Sequence, residues 1–346
     1  MILPDASVTF SFTRLPAGPI ARQVDFARYG RDLGYTRCWV SDQTYYADPF
    51  VLLAAASAAV PELELGLAVT NPYTRHPVQI ARAAASIAEL HPRRFWLGLG
   101  AGNRKHLLER LGIDGTHAPA RVRDAVVVVR RLLAGETVDY DGFWTLRGIR
   151  LEGAPPPPVP IVIATRNPRM LRVAGEVADG VMLESLVSAK AQAYGLAHVR
   201  AGLAAAGRDG AGFEVVAWQS VLVTDDRHAG IEVLRPWATY LLGMTTRATA
   251  LEMGIRPEVV DRVHAAFRTG GTEAAFPYVG PDEVDRVVIV GPPEHVAARC
   301  TELLRGGATD FAVQAPADER MGRETLRRFA EEVRPLVERA LKRPAG

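Results

Sequence analysis

Short apolar segments alternate with longer amphipathic segments along almost the whole of this 346-residue chain. The alternation is typical of β-strands that are each followed by a helix, and it predicts a parallel sheet covered on both faces. Eight segments are predicted as strands: Val8–Phe12, Thr36–Ser41, Glu64–Val69, Phe95–Leu99, Ile161–Ala164, Gly180–Leu183, Glu214–Leu222 and Asp310–Gln314. Eight such strands indicate the α/β class and a (β/α)8 TIM barrel, whose chemistry gathers at the carboxyl ends of the strands.

The segments between the strands are predicted as helices, and several begin with proline, which is tolerated in a first helical turn. The predicted helices are Pro19–Leu33, Pro49–Val60, Pro77–Leu90, Pro119–Leu133, Pro168–Val177, Ala189–Ala206, Pro293–Arg305 and Arg320–Leu341. Two segments interrupt the alternation. Residues 136–151 alternate around Asp141-Gly142, which predicts a β-hairpin, and residues 235–281 have a helical pattern without a strand.

Length and composition favour one domain over residues 1–346, because 48% hydrophobic residues suffice for one large core. We expect the insertion 235–281 to cap the open end of the barrel.

With 41 basic and 39 acidic residues the chain lacks the basic excess of a nucleic-acid-binding protein. No apolar segment approaches the length of a membrane span, and no secretory leader is recognisable. Together with two isolated cysteines, Cys38 and Cys300, this predicts a soluble, cytoplasmic protein with reduced thiols.

Polar and glycine-rich segments follow several predicted strands. Asp42 ends the second strand, where its carboxylate can point into the barrel mouth or cap the next helix. The heptapeptide Asn71–Pro77 follows the third strand, and its His76 stands either as a polar site residue or as part of a proline-locked turn. Gly98–Gly102 lies at the end of the fourth strand and lacks the spacing of a dinucleotide fingerprint. No histidine stands at a metal-binding spacing from cysteine or carboxylate, so no metal is predicted.

The turn Ala164–Arg169 follows the fifth strand and begins a helix. Free backbone N–H groups and two arginines at a helix start suit a phosphate group. A solvated basic turn is the alternative interpretation.

These segments, in this order, resemble the bacterial luciferase-like superfamily. The motifs that carry the resemblance are Trp39–Asp42, Thr70–Pro77, Leu97–Gly102, Ala164–Leu171, Ala174–Gly180 and Gly291–Val296. The nearest branch is the one that depends on the deazaflavin coenzyme F420 and includes methylenetetrahydromethanopterin reductase and a sugar-phosphate dehydrogenase. The resemblance implies a cis peptide and bulge at Ala68-Val69, beneath the cofactor ring.

The resemblance also implies the site residues. No acid stands at the family's usual positions, so a substrate proton must come from Asp42, His76, a tyrosine or water, and Asp42 and His76 are predicted as the catalytic residues. The implied cofactor-binding residues are Asp42, Gln43, Ala68, Val69, Thr70, Asn71, Gly100, Ala101, Gly102, Asn103, Ala164, Thr165, Arg166, Asn167 and Arg169. Related dehydrogenases carry proton-handling residues where this chain has Gln43 and Asn103, and amides cannot exchange protons near neutral pH.

The resemblance therefore predicts an F420-dependent oxidoreductase that transfers a hydride between the deazaflavin and a small organic substrate, with reduction of a C=C or C=N bond as the expected reaction. Two alternatives stay open: a flavin mononucleotide (FMN) monooxygenase on the same barrel, and a cofactor-binding relative without turnover. A homodimer is expected, because the family often pairs through helices near the second and third strands. Neither a nucleic acid nor a membrane is expected as a partner.

Overall fold

The computed structural model describes residues 8–91 and 93–343, so the first seven and last three positions of the predicted domain lie outside it. Eleven strands occur in this part of the chain: β1 (Thr9–Thr13), β2 (Arg37–Val40), β3 (Glu64–Thr70), β4 (Phe95–Leu99), β5 (Val138–Asp141), β6 (Thr145–Ile149), β7 (Ile161–Ala164), β8 (Gly180–Glu184), β9 (Glu214–Val223), β10 (Ile289–Gly291) and β11 (Asp310–Gln314). Eight of them, β1–β4, β7–β9 and β11, form a closed parallel barrel, in which β8 pairs with β9 and β11 pairs with β1. The predicted (β/α)8 barrel is confirmed.

Helices surround the barrel and connect its strands. They are α1 (Ile20–Asp32), α2 (Pro49–Ala59), α3 (Pro77–Leu90), α4 (Ala118–Leu133), α5 (Pro168–Val177), α6 (Ala189–Ala205), α7 (Arg227–Gly243), α8 (Arg247–Glu252), α9 (Pro257–Ala275), α10 (Pro281–Asp285), α11 (Pro293–Arg305), α12 (Glu319–Arg328) and α13 (Arg334–Leu341). Several combine proline in the first turn with a capping side chain, such as Asp48 before α2 and Asn167 before α5. Both carboxylate and amide oxygens accept from the free N–H groups of the first turn. None of the helices in the described ranges is long and apolar enough to cross a membrane.

The hydrophobic core has two parts. The larger part fills the space between the barrel and the helices and contains most of the buried aliphatic side chains. The smaller part lies inside the barrel around Trp39, Trp96 and Trp218. Trp39 and Trp218 meet edge to face with ring centroids 6.3 Å apart, so aromatic rings close the barrel interior beneath its mouth.

A buried ion cluster closes the opposite end of the barrel. The Arg37 guanidinium lies 2.9 Å from the Glu64 carboxylate, 3.0 Å from Glu214 and 3.4 Å from Asp310. It also stacks on Trp96, 4.3 Å from the ring centroid. Burial raises the pKa of Asp310 to about 6, although Arg37 opposes the shift. One cation therefore holds three carboxylates at the amino-terminal ends of the strands.

The structure refines the predicted boundaries at several places. The hairpin is present as β5 and β6, and the insertion is helical, but α7 begins at Arg227 because the Asp226 side chain caps it. The short strand β10 was missed; it extends the pairing of β9 beyond the barrel. The last predicted helix is divided by a π-helical turn, Phe329–Val333. Pro335 has no N–H to donate to the preceding turn, so a regular helix cannot continue there.

Candidate active site

The carboxyl ends of the barrel strands surround a cavity of about 440 Å³, within the size range of small-molecule sites. The end of nearly every barrel strand contributes to its wall, and α7 closes one side. Thirteen of the predicted cofactor residues line it: Asp42, Gln43, Ala68, Val69, Asn71, Gly100, Ala101, Gly102, Asn103, Ala164, Thr165, Arg166 and Asn167. We call this cavity the strand-end cavity.

The floor of the strand-end cavity is an irregular end of β3. The Ala68-Val69 peptide is cis, and the register between β3 and β4 shifts between Leu67 and Thr70. The irregularity brings Val69 against β4, where a Cβ on Gly100 would lie 2.7 Å from Val69 Cγ2. A Cβ on Gly98 would lie only 2.1 Å from the Leu67 carbonyl oxygen. Glycine is therefore required at both positions by contacts within the protein, and the resulting floor is apolar.

Asp42 provides a buried carboxylate at the edge of this floor. Its side chain is 6% exposed, and Oδ2 lies 3.7 Å from Nε of Arg75. Arg75 makes a shorter contact, of 2.6 Å, with Asp48, so it is shared between two carboxylates. Burial raises the pKa of Asp42, against the opposing influence of the Thr70 hydroxyl and the Arg75 guanidinium. Asp42 therefore holds a proton more readily than an exposed aspartate.

The turn before α5 is polar but internally satisfied. Asn167 accepts from the backbone N–H groups of Arg169 and Met170, and its own N–H donates to the Thr165 hydroxyl. Arg166 forms an ion pair with Glu184 at the end of β8. An incoming phosphate would therefore have to share these donors with side chains that already use them.

Three predicted site residues do not line the strand-end cavity. Thr70 is fully buried behind the floor, and Arg169 points to solvent from the first turn of α5. His76 is exposed and its Nδ1 accepts from the N–H of Val78, which makes it the N-cap of α3. Its ring also meets Trp144 edge to face, with centroids 6.0 Å apart. This position gives no support to a catalytic role for His76.

The rest of the wall of the strand-end cavity consists of residues that the sequence analysis does not predict. They are mainly at the ends of later strands and on α7, and include Met182, Glu184, Trp218, Trp237, Tyr240, Leu241, Met244 and Gln314. The Trp237 and Tyr240 rings stack with centroids 5.2 Å apart. Nδ2 of Asn103 donates to the Tyr240 hydroxyl over 2.5 Å. This hydrogen bond ties the β4 end to the helical insertion across the cavity.

No group of three or more histidine, cysteine or acidic side chains among the described residues is arranged to hold a metal ion. The arrangement is instead an apolar floor with hydrogen-bonding groups at its rim. Such a cavity suits a planar ring with polar edges.

Comparison with known proteins identifies the family. The sequence model of the luciferase-like monooxygenase family matches residues 6–310. The chain belongs to this family.

Two proteins of similar sequence have names that refer to a pterin-dependent or an F420-dependent reaction. The protein is 29% identical over 296 residues to 5,10-methylenetetrahydromethanopterin reductase of Archaeoglobus fulgidus, covering 84% of this chain and 88% of that one. It is 29% identical over 292 residues to an F420-dependent glucose-6-phosphate dehydrogenase of Beutenbergia cavernae, covering 82% of this chain and 81% of that one. The resemblance to the F420-dependent branch is therefore confirmed.

A solved structure supports the fold of this luciferase-like protein. The F420-dependent tetrahydromethanopterin reductase of Methanopyrus kandleri superposes with a TM-score of 0.83 at 22% identity, over 95% of this chain and 99% of that chain. The two proteins thus share this fold over nearly their full lengths.

Proposed function

We propose that this protein is an F420-dependent oxidoreductase that transfers a hydride between the deazaflavin and a small organic substrate. The observation that carries the proposal is the strand-end cavity, with its apolar floor and its polar rim. The named activities of relatives at 29% identity over more than four fifths of the chain support the same cofactor class.

The residues of the cavity fit a deazaflavin. The flat ring would lie on Ala68, Val69 and Gly100, and a Cβ at position 100 would displace Val69 from this floor. Asp42 and Asn103 would hydrogen-bond to polar atoms at its edge. When bound, the deazaflavin supplies the hydride-transferring carbon, while the protein provides orientation and excludes water.

The phosphate-bearing tail would run towards the start of α5. Thr165 and Asn167 offer hydroxyl and amide groups there, and Arg166 offers a cation that now pairs with Glu184. The helix dipole adds positive potential at the same place. We therefore propose Thr165, Arg166 and Asn167 as the tail site, with Arg166 exchanging part of its contact with Glu184 for the phosphate.

Asp42 is the group that we assign to proton transfer. It is buried at the cavity wall and its pKa is raised, mainly by burial. A general acid works best when its pKa lies near the working pH, and burial moves a carboxyl group in that direction. In the reducing direction Asp42 would deliver the proton that accompanies the hydride, to a C=C or C=N bond of the substrate.

The helical insertion is proposed to cover the mouth of the barrel. Trp237 and Tyr240 on α7 already line the cavity wall, and Tyr240 is bound to Asn103 at the end of β4. An insertion held in this way would shield the reacting atoms from water.

We further propose a cytoplasmic homodimer. Cys38 and Cys300 are both buried and unpaired, as is usual in reducing compartments. Val51 on α2 is 55% exposed and Leu90 at the end of α3 is 56% exposed, so both helices present apolar side chains to solvent. Light scattering coupled to size-exclusion chromatography checks this, since a monomer would contradict it.

Turnover with reduced F420 tests the function. The purified protein is mixed anaerobically with reduced F420 and a panel of unsaturated compounds, and the return of the visible absorbance of oxidised F420 is followed. We expect substrate-dependent oxidation with the wild type, and strong loss with Asp42→Asn. Oxidation that requires oxygen and FMN would favour the monooxygenase alternative. Tight F420 binding without oxidation by any compound would favour a relative without turnover.

A further inference from the structure

A second cavity lies beside the strand-end cavity. It has a volume of about 510 Å³ and lies between α7, the segment after β11 and the segment after β1. The two cavities share Trp237, Tyr240 and Gln314, so they meet at these side chains. We call the second space the side cavity.

The side cavity is lined mainly by apolar side chains. These are Leu15, Val233, Leu234, Pro236, Trp237, Ala315, Pro316, Ala317 and Met321. Of the described residues that line it, one is charged. This is Asp318, which already accepts from the backbone N–H of Met321 over 2.8 Å as the cap of α12. Such a lining favours hydrocarbon over polar or charged groups.

The charges around both cavities argue against an anionic substrate. Among the described residues that line either cavity, Arg166 is the single cation, and it pairs with Glu184. The cofactor tail is already proposed to use Arg166. A phosphorylated substrate would therefore find no further cation, and burying an unpaired phosphate is costly.

Gln314 supplies a hydrogen-bond donor where the cavities meet. The Trp237 indole N–H donates to the Ser220 hydroxyl over 2.8 Å, and this hydroxyl donates to Oε1 of Gln314 over 2.6 Å. Gln314 is only 8% exposed. Among the described residues, none accepts a hydrogen bond from its amide nitrogen. The chain of hydrogen bonds fixes the amide and leaves two N–H groups for a ligand.

We propose that the side cavity binds the apolar carbon skeleton of the substrate, and that the Gln314 amide donates to a carbonyl oxygen or imine nitrogen next to the reducible bond. This inference rests on the proposed function. For an unsaturated ketone the β carbon gains the hydride, the C=C π bond breaks, and the α carbon gains a proton from Asp42. The reduced deazaflavin of the proposed function is oxidised in the same step. Gln314 is a positioning residue that polarises the acceptor.

Binding to the protein without cofactor tests the inference independently of turnover. Calorimetry is performed with cyclohexenone and with cyclohexenones carrying progressively longer alkyl chains. Each methylene that enters the side cavity should tighten binding about fourfold. Glucose 6-phosphate should show no binding. Affinities that do not change with chain length would overturn the assignment of the side cavity.

Two variants test the side cavity and the Gln314 hydrogen bond separately. Val233 lines the side cavity but not the strand-end cavity, and it is 46% exposed. Val233→Trp should therefore narrow the side cavity, so that affinity no longer depends on the length of the alkyl chain. Leu111→Trp is its control, because Leu111 is also 46% exposed and lines neither cavity. Gln314→Leu should weaken binding of the ketones about fivefold to tenfold, and leave binding of the matching alkylcyclohexenes unchanged. Equal effects on ketones and hydrocarbons would refute the role of Gln314.

F420 binding is measured on the same samples. If the ketones bind with the expected dependence but F420 does not bind, the proposed function fails and the apolar site stands. If F420 binds and the dependence on chain length is absent, the inference about the side cavity fails.

Discussion

Replacing Arg37 by methionine should destabilise the protein strongly, because it removes the single cation of the buried cluster. The guanidinium is only 5% exposed and contacts Glu64, Glu214 and Asp310 within 3.4 Å. Methionine retains much of the volume against Trp96 but leaves three carboxylates facing one another. Asp310 has no exposed side-chain surface, so water cannot replace the lost contacts there.

The magnitude follows from the burial of the cluster. Removing one partner of a buried ion pair costs about 3 to 5 kcal/mol, because the remaining charge is uncompensated. Globular proteins gain about 2.1 cal/mol/K of unfolding entropy per residue, which over 346 residues gives about 0.7 kcal/mol per degree. The expected loss in Tm is therefore about 4 to 7 °C near pH 7.

The loss should depend on pH. Burial raises the pKa of Asp310 to about 6 in the folded protein, above its value in the unfolded chain. The native state thus binds this proton more tightly, and the contribution of Asp310 to stability falls as pH rises from about 4 to about 6. Without Arg37 the folded pKa rises further. The loss in free energy of unfolding caused by Arg37→Met should therefore grow as pH rises from about 5 to about 8.

Thermal and denaturant unfolding, followed by circular dichroism across this pH range, measures the deficit. Arg147→Met is the control, because Arg147 and its partner Asp141 are 61% and 74% exposed, and an exposed pair contributes about 1 kcal/mol or less. A loss of stability in Arg37→Met as small as that of the control, or one that shrinks as pH rises, would show that Arg37 does not neutralise the buried carboxylates.

Three further predictions follow from the site and the core. Asp42→Asn should lower kcat by about 10² to 10⁴. The wild-type rate is expected to fall as pH rises through the raised pKa of Asp42, and the variant should lack this fall; the same pH profile in both proteins would exclude Asp42 as the acid. Gly100→Ala should weaken F420 binding and cost about 1 to 3 kcal/mol of stability, because its Cβ would lie 2.7 Å from Val69 Cγ2; titration and unfolding of the variant measure both effects. Cys38 and Cys300 are buried, and burial raises the pKa of Cys38 to about 12, so thiol reagents should modify both only after unfolding; rapid reaction of the native protein would contradict this.

The barrel could be predicted because each strand is a nearly continuous apolar run that ends in polar residues or glycine. This pattern arises from burial on both faces and is readable without tertiary information. The boundary at Arg227 depended on a single capping residue, Asp226, and the break before α13 on Pro335. Asp226 and Pro335 are both visible in the sequence, but the helical pattern extends beyond each of them and does not by itself indicate these boundaries.

The site could be predicted only in part. Strand-end residues such as Asp42 and Asn103 follow from the rule that barrel sites lie at carboxyl ends, and the same rule applied to the last strand would have selected Gln314. Trp237 and Tyr240 could not be found in this way, because their place depends on how the insertion folds over the barrel. The sequence leaves His76 open between a site residue and part of a proline-locked turn, and the structure shows a third role, the N-cap of α3.

Equilibrium binding of F420 and of FMN to the purified wild-type protein tests the central claim most directly. Trp218 and Trp237 line the strand-end cavity, so quenching of tryptophan fluorescence reports a ring bound there. We expect micromolar or tighter binding of F420 and much weaker binding of FMN, with Gly100→Ala reducing the F420 signal. Preferential binding of FMN would contradict the assigned cofactor, and binding of neither would contradict the assignment of the cavity as a cofactor site.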